Sequence, residues 1–142
     1  MNQYLDTSVL APYYVPEPLS ERVERLLMRA PQLVISALVE VEFASALGRR
    51  VRVGDLNAAS ARAALTQFHA HQSEGFYRLI PIERSHFDRA RRWIETLRTP
   101  LRTLDALHLA LAADSGSVLI TADVRLARAA SSLRVRRRLL RA

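Results

Sequence analysis

The sequence predicts an α/β fold with a mostly parallel central sheet and helices on both faces. Three observations support it. Short apolar runs alternate with longer helical stretches from end to end. No two-residue hairpin turn such as Asn-Gly joins any two of those runs. The first run, Tyr4-Leu5, lies at the very N-terminus, where a buried strand normally becomes the centre of a parallel sheet.

The elements follow in order. Tyr4-Leu5 is a brief strand ended by Asp6, after which Val9-Leu10-Ala11 resume an apolar run before Pro12. Val15-Pro16-Glu17-Pro18 is a break. Leu19 to Met28 is an amphipathic helix, with Leu19, Val23, Leu26 and Leu27 on one side, and Pro31 stops it. Leu33-Val34-Ile35 is a strand, and Ser36 suits the N-cap of a helix from Ala37 to about Val51. That helix is apolar nearly all round, which predicts burial, yet it carries Glu40 and Glu42. Gly54-Asp55 is a turn, and Asn57 caps a helix from about Ala58 to His71. Tyr77 to Ile82 is a strand ended by proline. Ser85 with Asp88 resembles a capping box opening a helix through Trp93 to Leu97. After Thr99-Pro100, Thr103 caps a helix from Leu104 to about Ala113, with Asp105 in its first turn. Ser117 to Thr121 is the clearest strand. Asp123 opens a helix through Leu126 and Ala130, and Leu133 to Val135 is a candidate edge strand. With no linker or repeat, residues 1–142 read as one domain with a basic tail over about 132–142.

Composition narrows the function. Hydrophobic residues make up 49% of 142, enough for a real core. No apolar run approaches the roughly 20 residues that span a membrane, and no signal-peptide pattern opens the chain. The absence of cysteine removes disulfides and thiolate metal sites and agrees with a cytoplasmic location. The net charge is +7, and all 21 basic residues are Arg. Arg125, Arg128, Arg134, Arg136, Arg137, Arg138 and Arg141 follow Asp123 without a single acid, so the segment before them is nearly neutral. A basic segment on a neutral body suits either a solvated end or a phosphate-rich partner.

Four acids carry the chemistry. Asp6 and Asp123 each follow a buried strand, Asp105 starts a helix, and Glu42 lies within an apolar helix. Asp6 and Asp123 also suit helix N-caps, and Asp105 suits the helix dipole. Parallel strands put their carboxyl ends on one edge, so Asp6 and Asp123 can converge there and helix starts can join them. With no Lys in the chain and no convenient Arg at these positions, a divalent cation is the natural neutraliser, and carboxylate ligation suits Mg²⁺ or Mn²⁺. Spacing alone does not separate Glu42 from Glu40.

Tyr4-Leu5-Asp6-Thr7-Ser8 resembles the opening of the PIN-domain ribonucleases. Glu42-Phe43-Ala44-Ser45-Ala46-Leu47 is similar to their Glu-x-x-x-Ala-Leu helix, Thr103 to Ala110 resembles their most distinctive segment, and Thr121-Ala122-Asp123 matches their Thr-x-Asp ending. Size and single-domain form resemble the VapC toxins of toxin–antitoxin pairs. The resemblance implies a PIN-like fold and an endoribonuclease whose catalytic acids are Asp6, Glu42, Asp105 and Asp123. It implies Mg²⁺ or Mn²⁺ held by Asp6, Asp105 and Asp123, with Glu42 joining directly or through water. Ser8 and Thr121 would orient carboxylates, while His108 is read as a packing residue. It further implies an RNA substrate, a homodimer and inhibition by a VapB-like antitoxin. The apolar surface of helices 19–28 and 37–51 is the expected place for both protein partners. Arg125, Arg128, Arg136, Arg137 and Arg138 are the candidate RNA contacts. The arginines at 134 and 136–138 interrupt the family's usual last apolar strand.

Other acid-cluster folds fit less well. A phospho-acceptor receiver domain needs a Lys that this chain lacks, and a haloacid-dehalogenase-type phosphatase needs an acid where Ser8 stands. A catalytically inactive PIN-like module binding RNA or protein is the remaining alternative, and the presence of all four acids argues against it.

Overall fold

A computed structural model describes all 142 residues. The chain runs β1 (Gln3–Leu5), α1 (Thr7–Tyr14), α2 (Ser20–Arg29), β2 (Leu33–Ser36), α3 (Ala37–Val53), α4 (Ala58–Ser73), β3 (Arg78–Ile80), α5 (Arg84–Glu95), α6 (Thr103–Asp114), β4 (Val118–Thr121), α7 (Val124–Ser132) and β5 (Arg137–Leu139). The five strands form one sheet in the order β3-β2-β1-β4-β5, and every neighbouring pair is parallel. All four residues of β2 are buried, as are Tyr4-Leu5 of β1 and Leu119-Ile120-Thr121 of β4. Successive side chains point to opposite faces, so burial at every position means that both faces are covered.

β1 is the central strand, with β2 on one side and β4 on the other. Chain order therefore reverses between β1 and β4, which opens a crevice at their carboxyl ends. Asp6 and Asp123 follow these two strands. The core joins β1, β2 and β4 to Val9 and Leu10 of α1, Phe43 and Leu47 of α3, Phe68 of α4 and nearly all of α6 from Ala106 to Ala112.

Several local expectations change. Val9-Leu10-Ala11 belong to a helix that runs through Pro12, because burial of Val9, Leu10 and Pro12 outweighs one lost backbone hydrogen bond. Helix α3 is not buried all round. Only Val39, Phe43 and Leu47 are, while Val41 and Val53 are 68% and 66% exposed. Ser36 and Thr103 make no side-chain cap. Ser36 Oγ instead meets the Tyr4 hydroxyl at 2.8 Å, and Thr103 is already inside α6. The α5 cap comes from neither Ser85 nor Asp88: the Glu83 N–H donates to His86 Nδ1 at 2.9 Å, and α5 stops at Glu95. The last strand does not lie at Leu133–Val135. Arg134 takes a left-handed φ of 58° and turns the chain, and β5 forms three residues later from arginines. Those side chains are tolerated because β5 is an edge strand, where charge faces water and discourages pairing with other chains.

Candidate active site

Asp6 occupies the N-cap position of α1 without capping it by its side chain. Its Oδ2 accepts from Ser8 Oγ at 2.6 Å and from Thr121 Oγ1 at 2.7 Å, and Oδ1 takes no protein donor. Ser8 and Thr121, the two hydroxyls expected to orient carboxylates, are thus both in contact with Asp6. The same two hydroxyls also fix the neighbouring turn, because Ala122 N–H donates to Ser8 Oγ at 2.9 Å and Asp123 N–H to Thr121 Oγ1 at 3.0 Å. One buried hydroxyl thereby ties Asp6 to Asp123. Asp123 does cap α7: its Oδ1 accepts from the N–H groups of Arg125 and Leu126 at 2.9 and 3.3 Å, leaving Oδ2 free.

Glu42 comes from α3. Its Oε1 accepts from Thr7 Oγ1 at 3.1 Å and from His108 Nε2 at 2.5 Å, and Oε2 is unengaged. Glu40 points elsewhere, to Gln72 Nε2 at 2.9 Å. The structure thus separates two carboxylates that helical angles alone do not. One oxygen each of Asp6 and Glu42 and a His108 nitrogen lie within 4.8 Å of one another. Asp105 projects from the first turn of α6. Burial, followed by repulsion from Asp123 and Asp6, pushes its pKa above the ordinary 3.8 despite the opposing effects of Arg102 and His108. Asp6 and Glu42 thus come together with His108 at the β1–β4 crevice, while Asp105 and Asp123 lie outside that close group and reach it through their charge. Asp6, Glu42 and Asp123 repeat one arrangement: a single oxygen is anchored by the protein and the other stays open.

Two residues to which the sequence gives no part in the site border the acids. His108 is more than a packing residue, since its Nε2 meets Glu42 and its Nδ1 meets the Tyr4 hydroxyl at 2.8 Å. With Ser36 this makes a buried chain Glu42–His108–Tyr4–Ser36 beneath the acids. A carboxylate only accepts, so Nε2 carries the proton in that chain. Burial pushes the Tyr4 hydroxyl well above its usual pKa and keeps it neutral. The useful signal was the i, i+3 spacing of Asp105 and His108 on one helix. Arg102 Nε also stands 4.0 Å from Asp105 Oδ2, so a positive side chain does border the cluster.

The arginines divide. Arg125 and Arg128 are exposed on α7, which begins at Asp123. Arg137 reaches Ser131 Oγ at 3.0 Å and shares a concavity with Arg128 and Arg141. Arg138 lies on the opposite face of β5, beside α2. Arg136 stands by Met1, at the amino-terminal edge of the sheet and away from the acids.

A family model for the PIN domain matches residues 3–132. The chain belongs to the PIN-domain family. It is 37% identical over 108 residues to ribonuclease VapC3 of Mycobacterium tuberculosis, across 76% of this chain and 69% of that protein. Two solved structures share the PIN fold. Mycobacterium tuberculosis VapC20, described as a sarcin–ricin-loop-cleaving toxin, matches 89% of this chain and 94% of its own with a TM-score of 0.71 and 20% identity. The VapBC2 complex of Rickettsia felis, solved with a promoter DNA fragment, matches 98% of both chains with a TM-score of 0.69 and 14% identity. No helix of this PIN domain is long and apolar enough to cross a membrane.

Proposed function

We propose that this PIN domain is a metal-dependent endoribonuclease acting as the toxin of a toxin–antitoxin pair. The observation that carries the proposal is the half-anchored set of carboxylates at the β1–β4 crevice. Open oxygens of Asp6, Asp105 and Asp123, with Glu42 direct or through water, fit Mg²⁺ or Mn²⁺: the donors are hard oxygens, Asp105 is repelled by Asp123 and Asp6, and Arg102 reaches Asp105 only at 4.0 Å. Such a cation supplies charge for an attacking water and for the leaving oxygen of a phosphodiester.

The chain's own residues do the rest. Ser8 and Thr121 hold Asp6 in one rotamer, and the α7 amides hold Asp123. Thr7 and His108 fix Glu42, so the carboxylates meet the substrate with little reorganisation. Arg125, Arg128, Arg137 and Arg138 offer RNA phosphates a path to the crevice, with Arg136 farther off. The relative from Mycobacterium tuberculosis is a ribonuclease, and a similar fold occurs in a toxin–antitoxin complex from Klebsiella pneumoniae. We extend both properties to this chain, together with a homodimer and action in the cytoplasm. Exposed Val41, Val53 and Met28 on α3 and α2 supply apolar surface for the protein partners.

The test is incubation of purified protein with total cellular RNA, followed by mapping of the new ends. Discrete internal cuts by the wild type, absent with Asp6→Asn, support the proposal. Intact RNA under every Mg²⁺ and Mn²⁺ condition would favour the inactive binding module.

A further inference from the structure

The edge strand β5 separates its arginines. Arg137 turns to α7, while Arg138 turns to α2 and closes a concavity of about 490 Å³. Arg22, Arg25 and Arg29 line that second concavity with Arg138 and Gln3, and no carboxylate lines it. Residues 22, 25 and 29 follow i, i+3, i+7 spacing and share one face of α2, a row about 10 Å long. Their neutralisation is slight. Arg25 meets only Glu21, at 3.1 Å, in an exposed pair worth little. Arg22 spends one N–H on the Arg141 carbonyl at 2.9 Å, and neither Arg29 nor Arg138 has an acidic partner. The Gln3 amide makes no hydrogen bond, and its Oε1 is buried without a donor. Four guanidiniums gathered in one hollow repel one another unless an anion joins them.

We propose that the α2–β5 hollow binds the phosphate backbone of the RNA, upstream or downstream of the bond cut at the acidic crevice. This assignment rests on the ribonuclease reading of that crevice. The register sets the route. Gln3 begins β1, three residues and about 10 Å before Asp6. Arg138 is level with Ile120, and the next residue, Thr121, which holds Asp6, points to the other face of the sheet. RNA seated in the hollow therefore reaches the crevice by passing round the open edge at β5. Guanidinium forks match phosphate oxygens in pairs. Together with the α7 concavity of Arg128, Arg137 and Arg141, the hollow makes β5 a ridge with phosphate contacts on both flanks.

The experiment measures binding of fluorescent single-stranded RNA against salt concentration in chelator, where cleavage is off. The proteins are the wild type, R22Q/R25Q/R29Q and the α7-side variant R128Q/R137Q. Gln keeps helix propensity at these exposed positions, and matched melting curves verify folding. Each phosphate contact contributes about 0.7 to the log–log salt slope for single strands. The α2 triple variant is expected to lose about 2 from that slope, and to raise KM for a short RNA in Mn²⁺ with kcat within about twofold. A wild-type slope in the triple variant overturns the assignment. So does loss of polyglutamate binding in that variant with RNA binding intact, since the hollow would then serve an acidic protein segment. A wild type that binds RNA with an α2-dependent slope yet cuts none keeps the phosphate site and removes the ribonuclease reading. A wild type that cuts RNA with a slope indifferent to α2 does the reverse.

Discussion

Replacing Thr121 by Val removes one hydroxyl and leaves the shape of a fully buried residue nearly unchanged. That hydroxyl donates to Asp6 Oδ2 at 2.7 Å and accepts from Asp123 N–H at 3.0 Å. A hydrogen bond to a charged group contributes about 1.5–3 kcal/mol, and an amide left without an acceptor costs about 1–3 kcal/mol. Ser8 still holds Asp6 at 2.6 Å, and Asp123 is only partly buried, so water can serve its amide. The net loss of stability is therefore near the lower ends of these ranges, about 2 kcal/mol, or roughly 5–10 °C in Tm. Activity falls further, because Asp6 and Asp123 lose their shared anchor. Loss of such an orienting group typically costs about 10–100-fold. Thr121→Ser keeps both bonds and gives up only a methyl group, so it is expected to retain kcat/KM within about threefold. Differential scanning fluorimetry and cleavage of a short RNA read the two effects. Wild-type activity in Thr121→Val refutes the reasoning, as does a Thr121→Ser variant that is equally impaired.

Asp105 and Asp123 give two further tests. The pKa of Asp105 is raised above 3.8, so the folded protein keeps a proton that the unfolded chain has already released. Its contribution is therefore most favourable below 3.8 and is lost as pH rises through the raised value. Asp105→Asn is expected to stabilise the metal-free protein at neutral pH and flatten its stability profile in that window, as urea titration from acid to neutral pH would show. An unchanged profile means that the carboxylate is not strained by its neighbours. Asp123 has two duties that separate by substitution. Asp123→Asn keeps the α7 cap and its stability, whereas Asp123→Ala loses about 1 kcal/mol. Both variants lose activity, and equal Tm values for the two would remove the cap from the account.

How much was legible depended on where each element lies. β1, β2 and β4 are covered on both faces, so each appears as an uninterrupted apolar run. β5 has an open edge and reads as a charged tail; only its pairing with β4 makes it a strand. Helix α1 was hidden by Pro12, whose local cost is offset by burial that the sequence cannot display. Asp6, Asp105 and Asp123 could be placed because they stand at strand ends and a helix start, whereas Glu42, inside α3, was separated from Glu40 only by the family resemblance. His108 could not be placed, since a histidine among Leu107, Leu109 and Leu111 suits simple packing equally well. Its role depends on Glu42, 66 residues away on another helix. Exposure of α3 escaped notice for a related reason: its alanines and valines count as apolar wherever they face.

Asp6, Glu42, Asp105 and Asp123 acting as one cation site can be checked by titration calorimetry of Mn²⁺ into the wild type and Asp6→Asn, both verified as folded. Saturable binding to the wild type and its loss in the variant are expected. Binding of equal strength in Asp6→Asn, or none in the wild type at millimolar Mn²⁺, would rule out a shared site.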